Sequence, residues 1–313
     1  QHGDLNRTAA ILQDETLCEY IVCSDLFLTP SAKFADLLLP GTSMFEQDNL
    51  TTPWTQGDFL GFSPKIIEPV GQSRFEYDWL RDLARRLGLE DRFTEGHETA
   101  TDWLRDLYDG QRQQMPELPP FDQFRTMGTY VYQDRRVRVA FREQVETGEP
   151  FPTASGKIEL WSPSLDARHD PKLPALPVYV PEDEGAANRG QQLQLIGWHT
   201  LARCHSIHHN NDTLRQQHPQ QLWLHPADAT ARGLRNGDLV RVWNARGALR
   251  VPLHVTTDIV PGTAALAQGA WTDLGPDGVD NGGNINVLTG HTATPLAHGN
   301  PQHTILVQVA ADA

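Results

Sequence analysis

The chain has 313 residues, of which 39% are apolar and 21% charged, enough apolar content for two folded cores and unlike the composition of a disordered chain. A formal charge of −14, with 40 acidic residues among 26 basic ones, argues against a nucleic-acid partner, because neutralising phosphates takes clustered Lys and Arg. No run of about 18 apolar residues is present to span a bilayer, and the stretch from Gln1 to Arg7 has no apolar segment of the secretory-leader kind. Localisation is therefore not legible in the residues, and the absence of an initiating Met is consistent with a start inside a longer chain.

The first third alternates strand-like and helix-like pieces. Glu19 to Cys23 and Ala35 to Leu39 are short apolar runs, and between them Thr29-Pro30-Ser31 pairs a capping residue with a Pro that can open a helical turn. This is a βαβ-like order. From Phe75 to Leu87, apolar residues fall on one helical face that Gly88 would stop; a second short helix is predicted around Trp103, Leu104, Leu107 and Tyr108, ended by Gly110. Ten of the 22 prolines lie between 111 and 190, a density no long helix can pass through, so this span reads as a surface connector. Within it, Thr153 to Leu160 looks like a turn feeding a strand.

From residue 191 the pattern is β-rich. Predicted strands are 192–196, 221–224, 239–243, 249–255 and 304–309, separated by turn signals such as Asn236-Gly237-Asp238 and Arg246-Gly247. One short helix opens at His225-Pro226-Ala227-Asp228, with Pro at its first position and an acid in its first turn, and Gly233 stops it. Several short strands with one helix suggest a closed barrel. The expected division is 1–110, an α/β part; 111–190, the Pro-rich connector; and 191–313, the barrel.

Three cysteines, Cys18, Cys23 and Cys204, form no CxxC pair or cluster spacing, which leaves no iron–sulfur site within the chain. Cys18 and Cys23 are expected to be buried free thiols in or beside a strand, with a disulfide between them as the alternative. His205, His208 and His209 lack carboxylate or thiolate companions apart from Cys204, so no protein metal site is expected. Neither a nucleophile–base–acid arrangement nor a phosphate loop of the Gly-x-x-x-x-Gly-Lys type can be assembled.

The run from His225 to Val242 resembles the signature of a molybdopterin dinucleotide-binding barrel, a double-psi fold. Ile196 to Ser206 resembles that family's pterin-contacting loop, and Asn284 to Thr289 with Gly299 to Val309 is similar to its closing segment. Ile21 to Ala32 with Ala35 to Pro40, His2 to Thr8 and Gly269-Ala270-Trp271 follow in the same order. The chain thus resembles the C-terminal two-fifths of a catalytic subunit in the dimethyl sulfoxide reductase family of molybdenum oxidoreductases. The resemblance implies an α/β portion of parallel-sheet type followed by a six-stranded double-psi barrel. It implies a bis-molybdopterin guanine dinucleotide with molybdenum, held only in part here, and a [4Fe–4S] centre and molybdenum ligand in an N-terminal part of the same subunit. It also implies an iron–sulfur electron-transfer subunit, a membrane anchor subunit, a periplasmic setting, and reduction of an S- or N-oxide in anaerobic respiration, with this chain inactive alone. The rivals are reduction of selenate or another oxyanion on the same scaffold, and a non-catalytic barrel module.

Candidate cofactor residues follow from that resemblance. Asp25, at the carboxyl end of a predicted strand, and Thr29 four residues on would hold the guanine edge; capping is the alternative reading of both. His199, Thr200, Arg203, His205 and Ser206 would bring donors and hydroxyls to the pterin, although spacing alone reads as a solvated loop. Asn286, Asn300 and Gln302 match the closing segment, where amides are also common in turns. Trp271 is a candidate for lining the substrate funnel, with core packing as the alternative.

Overall fold

The computed structural model describes residues 3–54, 57–132, 137, 139–299 and 303–312. Contacts divide the chain into two compact units, one formed by Gln1–Glu19 with Pro150–Ala313 and the other by Tyr20–Glu149. These bounds differ from the three-part division drawn from the sequence. The chain opens with helix α1 (Leu5–Gln13), capped by Asp4, whose side chain accepts from the Arg7 N–H.

In the unit 20–149, β1 (Val22–Asp25) and β2 (Leu37–Pro40) pair in parallel around a 3-10 turn at Ala32–Phe34, the expected βαβ-like order with its helix reduced to one turn. Strands β3 (Asn49–Thr51) and β4 (Phe59–Ser63) follow, then α2 (Glu76–Arg86), α3 (Glu90–Thr94), α4 (Ala100–Gln114), α5 (Phe121–Met127), β5 (Thr129–Val131) and α6 (Arg142–Glu146). Helix α2 lies where the apolar spacing put it, and Gly88, at φ +69°, follows its end. The predicted stop at Gly110 is wrong: α4 runs through it, because a capping box of Thr99 and Asp102 starts the helix and contacts on Tyr108 outweigh the glycine's cost of about 1 kcal/mol.

Reading 111–132 as connector also fails. β5 completes an antiparallel sheet β3-β4-β5, and Phe121 and Phe124 of α5 join Leu60, Phe62, Tyr108 and Leu118 in a core. The prolines do not oppose this, since Pro120 precedes α5 and Pro163 occupies a first helical position, where no backbone N–H is needed. The strand expected at the end of 153–160 does not form; Ile158 and Leu160 are exposed. All three cysteines are free, but Cys18 and Cys23 are only half-buried and Cys204 is exposed, which corrects the expectation of buried thiols.

The other unit is a closed barrel with α1 packed on it. After α7 (Pro163–Asp166) come β6 (Leu193–Trp198), α8 (Asp212–Gln217), β7 (Leu222–Leu224), α9 (Pro226–Ala231), β8 (Leu239–Trp243), β9 (Ala248–Val255), β10 (Thr263–Ala267) and β11 (Ile305–Ala311). The strands close in the order β10-β6-β11-β8-β9-β7, with β10/β6 and β9/β7 parallel. Alternate residues point inward as the pattern requires: Leu193, Leu195, Leu222, Leu224, Val240, Val242, Leu249, Val251 and Leu253 are buried, and Val255 is partly so. In α9, His225 Nδ1 accepts from the Ala227 N–H, and Gly233, at φ +67°, follows the helix.

Candidate functional site

Because β6 and β10 run parallel, with Trp198 opposite Ala267, their carboxyl ends lie side by side. Two loops leave from there, 199–211 and 268–284. The first is tightly shaped. Cys204 and Ile207 form an isolated bridge, and His205 and His208 sit at φ +53° and +73°, left-handed conformations that strain side-chain-bearing residues. Three anchors hold it: the Ala202 N–H donates to Thr200 Oγ1 (3.2 Å), Trp271 Nε1 donates to the Ser206 carbonyl (3.0 Å), and Arg203 reaches inward.

Arg203 is only 9% exposed. Its Nη2 donates to Gln220 Oε1 (2.7 Å) and the Gln268 carbonyl (3.2 Å), and its Nη1 lies 3.4 Å from His209 Nδ1. No carboxylate forms an ion pair with it among the described residues, and its buried Nε has no partner. Burial pulls the guanidinium below its ordinary pKa, yet an arginine stays protonated. His209 is buried as well; desolvation first, then the charges of Arg203 and Arg215, push its imidazole down to about 4, so it is neutral at physiological pH and can accept from the guanidinium.

The second loop is organised by Asp280, which is fully buried and accepts from the backbone N–H groups of Asp273 (2.7 Å), Gly282 (3.1 Å) and Asn284 (2.6 Å). Burial pushes its carboxyl up while these three bonds pull it down. Asn284 caps the 3-10 turn Ile285–Val287 through the Asn286 N–H (3.0 Å). Asn286 is 3% exposed, and its Oδ1 is buried without a partner. Gln220 joins the two loops: besides accepting from Arg203, its Nε2 donates to the carbonyls of Ala267 (2.7 Å) and Gly283 (2.8 Å). At the end of β6, Trp198 Nε1 is a third polar atom of this region that is buried without a partner among the described residues.

Of the residues named from the sequence, Thr200, Arg203 and Asn286 are buried here, Ser206 is half-buried, and His199 and His205 are exposed with their rings 5.3 Å apart. Asn300 and Gln302 lie outside the described residues. Asp25 and Thr29 belong to the other unit, where Asp25 Oδ1 accepts from the Leu26 N–H (2.7 Å), Oδ2 accepts from Thr29 Oγ1 (3.1 Å), and Thr29 Oγ1 accepts from the Ala32 N–H (3.3 Å). For Thr29 this is the geometry of a residue capping the turn at Ala32–Phe34, whereas Asp25 bonds to no N–H of that turn and instead fixes the Thr29 hydroxyl. Trp271 packs 5.8 Å from His209 besides holding Ser206. Sequence reasoning missed Gln220, Gln268 and Asp280, and it placed Trp198 in the resembling loop without singling it out: a lone Gln before a strand and an acid in a Gly-rich loop carry no spacing signal.

A barrel that holds buried donors and an acceptor without partners near its parallel strand ends, among the described residues, has polar atoms left over for a polar ligand. Residues 193–306 match the molydopterin dinucleotide binding domain, and residues 1–86 match the molybdopterin oxidoreductase domain. The chain thus carries domains of the molybdopterin oxidoreductases.

Over 99% of its length it is 41% identical to the dimethyl sulfoxide reductase DmsA of Escherichia coli (strain K12), covering 40% of that protein. It is 33% identical to a trimethylamine-N-oxide reductase of Salmonella typhi, covering 38% of it. Among solved structures, acetylene hydratase from Pelobacter acetylenicus shares the fold, with a TM-score of 0.74 at 23% identity over 99% of this chain and 42% of the other. The chain thus spans about two-fifths of the curated relatives it matches. The family carries a molybdenum–molybdopterin cofactor, and the free Arg203 Nε, Trp198 Nε1 and Asn286 Oδ1 fit a pterin, whose ring system both donates and accepts.

Proposed function

We propose that the chain is part of a molybdenum enzyme that reduces an S-oxide or N-oxide, such as dimethyl sulfoxide, in anaerobic respiration. The observation that carries the reading is the buried Arg203, a cation with no carboxylate partner and no Nε partner among the described residues, at the joined carboxyl ends of β6 and β10. The relatives lend support, since their names are those of dimethyl sulfoxide, trimethylamine-N-oxide and biotin sulfoxide reductases.

The cofactor is taken to be bis-molybdopterin guanine dinucleotide, which when bound supplies two-electron oxygen-atom chemistry that side chains cannot. In this reading Arg203 Nε and Trp198 Nε1 donate to the cofactor, Asn286 Oδ1 accepts, and the hydroxyls of Thr200 and Ser206 and the rings of His199 and His205 complete one wall. Asn300 and Gln302 belong to the same closing segment. Asp25, with Thr29 fixing one of its oxygens, offers a carboxylate to the two N–H groups of a guanine edge. A [4Fe–4S] centre and the side chain on molybdenum come from an N-terminal part of the same subunit. Partner subunits carrying iron–sulfur clusters and a membrane anchor, on the periplasmic side, complete the assembly.

The test is an acceptor survey on the intact protein with a reduced viologen dye, together with identification of the nucleotide released by acid. Turnover of dimethyl sulfoxide or trimethylamine N-oxide, with a guanine nucleotide released, is expected. Turnover of selenate alone would replace the substrate class, and absence of both turnover and nucleotide would leave a binding module in place of an enzyme.

A further inference from the structure

Arg203 is unusual in how it is held rather than in being present. A buried guanidinium is normally paired with a carboxylate, since an unpaired buried charge is costly. Here three neutral acceptors surround it: the Gln220 amide oxygen, the Gln268 carbonyl and the uncharged imidazole of His209. Such a shell satisfies the η nitrogens, leaves the full positive charge uncancelled and leaves Nε free. Gln220 is the member with the most bonds. Its oxygen takes the 2.7 Å bond from Nη2, while its nitrogen is pinned by two carbonyls, Ala267 at the end of β10 and Gly283 in the second loop. Those two bonds fix which way the amide faces, because turning it over would set its oxygen against two carbonyl oxygens.

We propose that Gln220 is a positioning residue of the cofactor site, holding Arg203 by neutral contacts so that an uncancelled positive charge and a free Nε–H face the anionic cofactor. The inference rests on the cofactor-binding reading of Arg203 given above. It adds a residue outside the pterin loop and explains why an amide stands where an acid would satisfy the arginine better. His209 serves the same arrangement, since a protonated imidazole could not accept from Nη1.

The experiment uses the cofactor-loaded protein and three variants: Gln220→Met, which keeps the length and loses every bond; Gln220→Glu, which keeps the acceptor and adds a cancelling charge; and Arg203→Met. Two quantities are read: molybdenum and nucleotide retained per polypeptide after gel filtration, and the His209 imidazole titration followed by NMR. Bonds to charged groups are worth about 1.5–3 kcal/mol, so both Gln220 variants should retain the cofactor roughly tenfold less well or worse. In both, His209 should titrate above its value of about 4, because the guanidinium beside it is released or cancelled. A residue that only packs would lower the melting temperature and move neither reading. Unchanged retention and titration in both Gln220 variants, with retention lost in Arg203→Met, overturns the positioning role alone. Unchanged retention in Arg203→Met removes Arg203 from the site and the positioning role with it.

Discussion

At the scale of single residues, the site is assembled from polar atoms that pay for their burial in different ways. Asp280 is satisfied by three backbone N–H groups, the η nitrogens of Arg203 by three neutral acceptors while its Nε stays without one among the described residues, and His209 gives up its charge. The last has a consequence for stability. The His209 pKa falls from 6.5 to about 4 on folding, so between those values the unfolded chain binds a proton that the folded chain refuses. Stability therefore falls as pH drops through that window and levels off below it, by roughly 3 kcal/mol in all for this group. Urea unfolding of the wild type and of His209→Gln across the window should give a shallower pH dependence for the variant. Parallel curves would mean that the imidazole is protonated in the folded state.

At the scale of elements, the sequence was most legible where periodicity and turn chemistry agreed. α2, α9 and the strands β6, β7, β8, β9 and β11 lie within two residues or so of their expected positions at most ends. β10 was invisible because Thr263-Ala264-Ala265-Leu266-Ala267 is buried along Ala264–Ala267 without alternation and has only Thr263 as a β-branched residue. α1 was assigned to the α/β part, yet it belongs with the barrel: Asn6 Nδ2 donates to the carbonyls of Arg246 (2.8 Å) and Val287 (3.4 Å), and the Asp4 N–H donates to that of Thr289 (3.1 Å). No local pattern could announce contacts some 240 or more residues apart.

That docking depends on Gly247 in the turn between β8 and β9. A methyl there would meet Asn6 Nδ2 and stand 2.7 Å from the Val287 carbonyl oxygen, which is backbone and cannot swing away. Gly247→Ala should cost about 1–3 kcal/mol, the usual range for overpacking. It should also expose α1 to limited proteolysis. A variant as stable as wild type, with α1 still protected, would show that the helix is not held at this turn.

At the scale of the whole molecule, the site's charge is handled locally. A chain of net charge −14 offers an anionic cofactor no general attraction, so the binding energy must come from a few placed donors. The loop 199–211 was legible as a resemblance to a pterin-contacting loop, whereas its preformed shape was not, since that shape depends on the strand ends of the barrel and on Gln220. Asp25 and Thr29 were legible as a strand end, and what the structure adds is that their hydroxyl–carboxylate pair is already formed.

The most direct measurement is molybdenum and guanine nucleotide per polypeptide after gel filtration of the intact protein, compared among wild type, Arg203→Ala, Asp25→Asn and Arg85→Ala. Arg85 lies on α2 in an exposed ion pair with Glu90, and its loss should leave cofactor content alone. Arg203→Ala should lower retention on the order of tenfold to a hundredfold, the equivalent of about 1.5–3 kcal/mol for a bond to a charged group. Asp25→Asn should lower it at the guanine end while keeping the side chain's shape. Equal cofactor content in all four proteins would contradict the assignment of these residues to the cofactor.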